Sequence, residues 1–228
     1  MIIMGRRILL LLLAGYLFTG CTYHGQIRRG IYTPSPKQNR VDASILVIAD
    51  RHIPSQVLIA DPENPDTQAF ILDTSDGVAV AATDAVATLF TQADAGSADL
   101  QDLYDFVADV TLETGLTRNN CEGNLSKWAV RQEGLCTLLT LSIRRPGEET
   151  PLATATSSRW RPFRTPGFAS SVRWLDKHTR IFFFILTPLY VQTQGNALRH
   201  QFEDNLKEAL EDMVGQLAQK RTVFMPAP

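Results

Sequence analysis

Tyr104-Asp105-Phe106-Val107-Ala108-Asp109-Val110-Thr111-Leu112-Glu113 decides the class of fold. Tyr104, Phe106, Ala108, Val110 and Leu112 alternate with Asp105, Asp109, Thr111 and Glu113, the two-residue period of a half-buried strand. Leu135 to Arg144 repeats the alternation through Leu139, Leu141 and Ile143. Pro146-Gly147 turns the chain, and Leu152 to Trp160 can return as a third antiparallel strand.

Helical periods flank this sheet. Leu198, Phe202, Leu206, Leu210, Met213 and Leu217 recur every three or four residues, while Glu203, Asp204, Lys207, Glu208, Glu211 and Asp212 take the other face. That pattern predicts an amphipathic helix from about Asn196 to Gln219. Val78, Ala82, Val86, Leu89 and Phe90 predict a second helix over Gly77 to Thr91, opened by the capping oxygens of Asp73, Thr74, Ser75 and Asp76. Ser44 to Ala49, Gln56 to Ala60 and Ala69 to Leu72 read as short strands, and Ala93 to Asp99 as a loop of small residues. The expected fold is α+β, an antiparallel or mixed sheet with two amphipathic helices packed on one face. The 44% hydrophobic content suffices for such a core and argues against a mainly disordered chain.

The start of the chain has a different design. Arg6 and Arg7 precede an apolar stretch from Ile8 to Phe18, closed by the small residues Thr19 and Gly20. Basic head, apolar core and small residues before a cut site form a secretory signal. A spanning helix would need roughly 20 apolar residues, more than this stretch supplies. Leu17-Phe18-Thr19-Gly20-Cys21 resembles the lipobox of bacterial lipoproteins, with Phe18 where that family prefers leucine. The resemblance implies a diacylglycerol on the Cys21 thiol, cleavage that removes residues 1–20, and an acylated new amino group. This covalent lipid is the only cofactor-like group expected. Thr22 stands where Asp resembles an inner-membrane retention mark, so the expected place is the outer membrane, with the domain facing the periplasm.

Residues 21–40 read as a lipid-anchored tether, polar, with Gly25, Gly30, Pro34 and Pro36 and the basic residues Arg28, Arg29, Lys37 and Arg40. Residues 41–228 then form a single periplasmic domain. Its order of strand, helix, strands and helix from Ser44 to Gln219, behind a lipobox, looks like the α/β domain of the TolB amino-terminal domain and the curli-secretion lipoproteins. Element order alone carries that resemblance, and no functional residue comes with it.

Charge is unevenly spread. From Asp42 to Glu113 the only Lys or Arg is Arg51, whereas Arg144, Arg145, Arg159, Arg161, Arg164, Arg173, Lys177 and Arg180 meet few acids. Such halves can pair within one fold or between subunits, or stay apart as solvated faces. The net charge of −2 gives no reason to expect nucleic acid as a partner.

No catalytic pattern stands out. There is no HExxH helix, Gly-x-Ser-x-Gly elbow, phosphate-cradling glycine loop or Cys-x-x-Cys pair. Asp50-Arg51-His52 places an acid beside a histidine, but strand neighbours point to opposite faces. Asp61, Glu63, Asn64 and Asp66 are oxygen-rich, yet Pro62 and Pro65 break the calcium-loop spacing. With Cys21 taken by lipid, Cys121 and Cys136 form an even pair in an oxidising compartment, which favours a disulfide over two free thiols. Closing that loop is worth about 3 kcal/mol in the chain-entropy model. No metal site is expected.

The unusual stretch runs from Trp160 to Val191. Trp160, Arg161, Phe163, Arg164 and Trp174 interleave arginine with aromatics; the apolar run through Phe182, Phe183 and Phe184 follows, and then Tyr190. One reading is a basic loop followed by a buried strand. The other is a contact surface for the bilayer interface or another protein. Together these features predict a non-enzymatic outer-membrane lipoprotein serving as an assembly or accessory subunit of an envelope complex, its partners being membrane lipid through the anchor and an envelope protein or copies of itself. The alternative is a carrier for a lipid, glycan or other small apolar ligand, with a cleft near Phe182 to Tyr190.

Overall fold

The structure is a computed structural model and describes residues 22–33, 40–49, 53–60, 69–115, 134–162, 171 and 183–225. The chain folds as α+β. In order the elements are β1 (Tyr23–Gln26), β2 (Val41–Ile48), β3 (Gln56–Ala60), β4 (Ala69–Asp73), α1 (Ser75–Val86), β5 (Phe90–Ala95), β6 (Phe106–Gly115), β7 (Gly134–Arg144), β8 (Ala153–Pro162) and α2 (Phe183–Gln219). Short 3-10 turns occupy Ala98–Leu103 and Arg221–Phe224.

Two sheets are built. The larger has the order β5-β2-β6-β7-β8 and is mixed. β2 runs parallel to both neighbours, and β6, β7 and β8 form an antiparallel meander. The smaller has the order β1-β4-β3. The meander is the alternating pattern realised: Val110, Leu112, Leu139, Leu141 and Ile143 enter the core, and Asp109, Thr111, Thr140 and Ser142 lie on the other face. Its turn is set by Gly147 at φ 75°, with Glu148 N–H donating to the Arg145 carbonyl at 3.1 Å. β2 instead buries Ile45, Leu46, Val47 and Ile48 in succession, as a central parallel strand covered on both sides does. Both helices cover the same face of the larger sheet: Val78, Ala82 and Ala85 of α1 share one core with Leu198, Phe202, Leu206, Leu210 and Leu217 of α2. The opposite face, at Leu46, Ile48 and Val107, is covered by the turn carrying Ala98.

Four expectations are corrected. Residues 21–40 are not a simple tether: Tyr23–Gln26 form β1, parallel to β4, and Tyr23, Ile27 and Tyr32 are buried in the core. A four-residue strand whose partner lies far along the chain leaves no local period to read. The first helix stops at Val86, and Phe90 opens β5. The Thr88 hydroxyl donates to the Ala85 carbonyl at 2.7 Å, and Phe90 turns into an aromatic cluster with Phe106 and Phe224. The supposed loop at Ala93 is therefore edge strand, with Thr91 and Gln92 exposed. Finally, Phe183–Gln219 is helix, so the apolar run is helical from Phe183 on and is not the buried strand of the first reading. A short apolar run cannot be told from helix by period, and Gly195 mimics a helix stop.

Charge pairing is also narrower than two complementary halves. Arg144 meets Asp109 at 2.8 Å, but Arg159 and Arg161 pair with Asp212, Asp204 and Glu208 of α2.

Asp105 ties the start of β6 to the irregular start of β2. Its carboxylate accepts the Ser44 main-chain N–H and hydroxyl, both at 2.8 Å, and the N–H above all holds its pKa below the usual carboxylate value. A depressed acid contributes stability above its unfolded pKa, and that contribution is lost as pH falls through the lower folded pKa. Asp105→Asn is expected to be less stable than the parent at neutral pH. In denaturant titrations across pH, the gap should shrink below the ordinary carboxylate range; a gap that stays constant there would contradict the assignment.

Candidate functional site

The leader segment packs closely against both helices, on α2 at Gly195 and on α1 at Gly77. Tyr23 lies flat on α2 at Gly195, where any Cβ would overlap its ring. Its hydroxyl donates to Asn196 Oδ1 at 3.0 Å. Burial raises the hydroxyl's pKa, Arg199 and Arg28 oppose that, and Glu203 reinforces it. Ile27 continues the pairing with its N–H on the Asp73 carbonyl at 3.0 Å. Gly77 lets it close on α1: a Cβ there would stand 2.8 Å from the Ile27 carbonyl oxygen. Arg28 then donates its main-chain N–H to the buried carboxylate of Glu203 at 3.2 Å. Arg28 and Arg199 place side-chain nitrogens 3.9 Å from the same carboxylate, and His200 lies 3.4 Å from it. Three basic groups around one acid reduce the cost of burying it.

Beyond this junction the leader reaches a cleft of about 490 Å³ at the carboxyl ends of the parallel strands β2 and β5. Its lining is Val47 and Ala49 from β2 and its end, Ala95, Gly96 and Ser97 from β5 and its end, Asp76, Ala79 and Val80 from α1, and Arg29. Strand carboxyl ends are where open parallel sheets usually leave a crevice. Small residues make its floor, and the Arg29–Asp76 ion pair at 2.7 Å crosses its rim. Ser97 donates its hydroxyl to Asp99, which lowers that carboxyl's pKa. The cleft offers apolar contact from its small residues, the Ser97 hydroxyl and the Arg29–Asp76 ion pair. Among the described residues no cluster of His, Cys, Asp and Glu could hold a metal ion.

The residues singled out in the sequence are distributed otherwise. Cys21 lies outside the described residues, directly before Thr22. Cys136 is buried and disulfide-bonded, while Cys121 lies outside the described residues. Trp160 sits on β8 opposite Cys136, and its indole lies over Gly134, where a Cβ would collide with it. Its buried Nε1 meets no hydrogen-bond partner among the described residues. Arg161 pairs within the chain, with Asp204 at 3.0 Å and with Glu208. Phe163, Arg164, Trp174 and Phe182 lie outside the described residues, as do Asp50 to His52 and Asp61 to Asp66. Phe183, Phe184 and Tyr190 belong to the first turns of α2. The cleft draws on none of the segment from Phe182 to Tyr190, where the carrier reading placed it. Sequence reasoning missed Tyr23, Gly195 and Glu203. The available hints were Tyr23, Ile27, Ile31 and Tyr32 within the leader and a glycine inside a helical period.

No family model matches the chain, and no curated protein is similar to it. Among solved structures it is similar to protein XCC0632 from Xanthomonas campestris, of the DUF330 family, with a TM-score of 0.46 and 12% identity over 87% of this chain and 98% of that one. A neuraminyllactose-binding hemagglutinin homolog from Helicobacter pylori aligns with a TM-score of 0.36 and 9% identity over 86% and 95%. The hypothetical protein CT253 from Chlamydia trachomatis gives 0.23 and 10% over 72% and 97%. Likenesses at this level assign neither a family nor an activity.

Two stability measurements test the junction. A Gly→Ala change inside a helix ordinarily stabilises by about 1 kcal/mol. Gly195→Ala should instead destabilise by roughly 1–3 kcal/mol, the usual cost of overpacking, and most of that cost should vanish in a Tyr23→Ala background. Additive changes would show that the two residues are not in contact. Next to Gly195, Gln194 is fully buried with neither amide atom paired among the described residues. An unpaired buried polar group costs about 1–3 kcal/mol, so Gln194→Met should raise the denaturation midpoint; a lower midpoint would reveal a partner for the amide.

Proposed function

We propose that this chain is an outer-membrane lipoprotein whose periplasmic domain acts, without catalysis, as an assembly or accessory subunit of a cell-envelope complex. The observation that carries the proposal is the position of β1. Cys21, the residue expected to carry lipid, stands two residues before Tyr23, and Tyr23 is held between β4 and α2. Two residues of extended chain reach no more than about 7 Å. A lipid on Cys21 would therefore hold the domain against the membrane in a set orientation. That suits a subunit which presents one face to a fixed partner, and it suits less well a carrier that must travel from the surface on a long leash.

The second reading, a carrier for a lipid, glycan or other small apolar ligand, is favoured by one observation. The cleft's volume of about 490 Å³ falls within the roughly 300–1,000 Å³ typical of ligand pockets. Co-purified ligand detected by native mass spectrometry, and lost on Ala79→Leu, would favour that reading over the first.

The anchor is tested by Cys21→Ser. This substitution should abolish labelling by radioactive fatty acid, leave the signal uncleaved and remove the protein from the outer-membrane fraction. A variant that is still labelled and still fractionates there would overturn the assignment. Light scattering of the detergent-extracted parent, with affinity purification from its own envelope, should find an assembly larger than one chain.

A further inference from the structure

The larger sheet has an edge at β8 and an edge at β5, and the fold treats them differently. β8 is closed by side chains of α2 and of the residue just after it. Gln216 bonds both main-chain groups of Thr156, accepting the N–H at 3.3 Å and donating to the carbonyl at 2.9 Å. Lys220 donates to the Thr154 carbonyl and Gln201 to that of Pro162. β5 pairs with β2 alone. Gly96 donates its N–H to the Val47 carbonyl, so the alternation of the ladder turns the N–H and C=O of Ala93 and Ala95 away from β2. Among the described residues no hydrogen bond closes these outward groups, and Thr91, Gln92 and Ala95 are exposed. An edge of this kind is a template for one more strand.

An exposed apolar pair stands beside it. Leu100 and Leu103 are 40% and 76% exposed, on the 3-10 turn at Ala98–Leu103. Three residues apart in such a turn, they share one face. The turn runs along the second half of β5. Leu100 lies at Gly96, where a Cβ would stand 3.3 Å from its methyl carbon, and the Tyr104 hydroxyl donates to Asp94 at 3.2 Å. The charge around the strand and the turn has one sign. Asp42, Asp94, Asp99, Asp102 and Asp105 form no ion pair among the described residues, and from Asp42 to Glu113 the only Lys or Arg is Arg51. A second copy paired through this edge would set acid against acid, which is destabilising.

We propose that the outer edge of β5, together with Leu100 and Leu103, is the docking site for an extended segment of an envelope protein that carries lysine or arginine among apolar residues. This names the kind of partner for the accessory-subunit reading above and rests on it. The segment adds a strand beside β5, its main chain bonding Ala93 and Ala95. Its apolar side chains on the turn's side meet the two leucines, and its basic side chains meet the aspartates. In strand addition the main-chain bonds give affinity and the alternate side chains give specificity.

The test uses the full chain in its own envelope, carrying Gln92→p-benzoylphenylalanine or Leu103→p-benzoylphenylalanine, with Lys207→p-benzoylphenylalanine on the exposed part of α2 as control. Irradiation should link the first two variants, and not the control, to one segment of another protein, which mass spectrometry should map to a stretch of net positive charge. Ala93→Pro removes an outward N–H and keeps the bonds to β2. In that background the Leu103 cross-link should fall about five-fold, the effect of one lost hydrogen bond. Asp102→Lys, at an exposed position, should also lower it, and keeps the test available should Ala93→Pro lower the melting temperature. A link to a second copy of this chain, or to a segment without net positive charge, overturns the proposal. A yield unchanged in a substituted background that melts like the parent overturns it too. If affinity purification finds an assembly larger than one chain and neither position cross-links, the accessory-subunit reading stands and this site falls. If no assembly is found, that reading fails and this proposal fails with it.

Discussion

The contact of one tyrosine ring with one glycine organises this molecule. Tyr23 lies against Gly195 and bonds Asn196, which seats β1 on α2 and completes the smaller sheet beside β4. Once β1 is seated, Ile27 falls onto Gly77 and Arg28 onto Glu203. The leader then ends at the cleft rim with the Arg29–Asp76 pair. The strand is only four residues long and short strands are not stable alone, so β1 depends on these contacts together.

The same helix that receives the leader also holds the other edge of the larger sheet. Asn205 donates its amide to the Leu135 carbonyl at 3.1 Å, Ser157 donates to Asp212 at 2.8 Å, and Gln216 bonds Thr156. The arginines of β8 add Arg159–Asp212 and Arg161–Asp204. Half-exposed ion pairs of this kind contribute little individually, roughly 0–1 kcal/mol. Their effect is on register: they set how far along α2 the sheet edge sits, and so where Gly195 stands for Tyr23. An apolar seam alone would permit sliding by a turn. The arginine-rich strand is therefore occupied, in its described part, with internal contacts rather than waiting for a partner.

Orientation is the consequence if Cys21 carries the proposed lipid: that residue stands two positions before Tyr23, which is buried in the core, so the domain would have little freedom to turn about its anchor. The cleft itself combines a floor of small residues with an ion pair across its rim.

Several elements were legible in the sequence because their signals are local. The meander followed from two-residue alternation at Phe106 to Leu112 and Leu139 to Ile143, the turn between its last strands from Pro146-Gly147, and the later half of α2 from Leu198 to Leu217. The lipobox-like stretch is local too, and its reading depends on no fold. What the tertiary structure decided was everything carried by contacts distant in sequence. The strand at Tyr23 exists because β4 and Gly195 accept it, more than 40 and 170 positions away. Phe90 leaves the helical period because Phe106 and Phe224 bury it as the first residue of a strand. The apolar run at Phe183 could have been strand or helix, since a few consecutive apolar residues carry no period. Gly195 shows the physical reason most plainly. By its sequence it is a helix breaker, costing about 1 kcal/mol against alanine. In the folded chain it is the one residue type that leaves room for the Tyr23 ring.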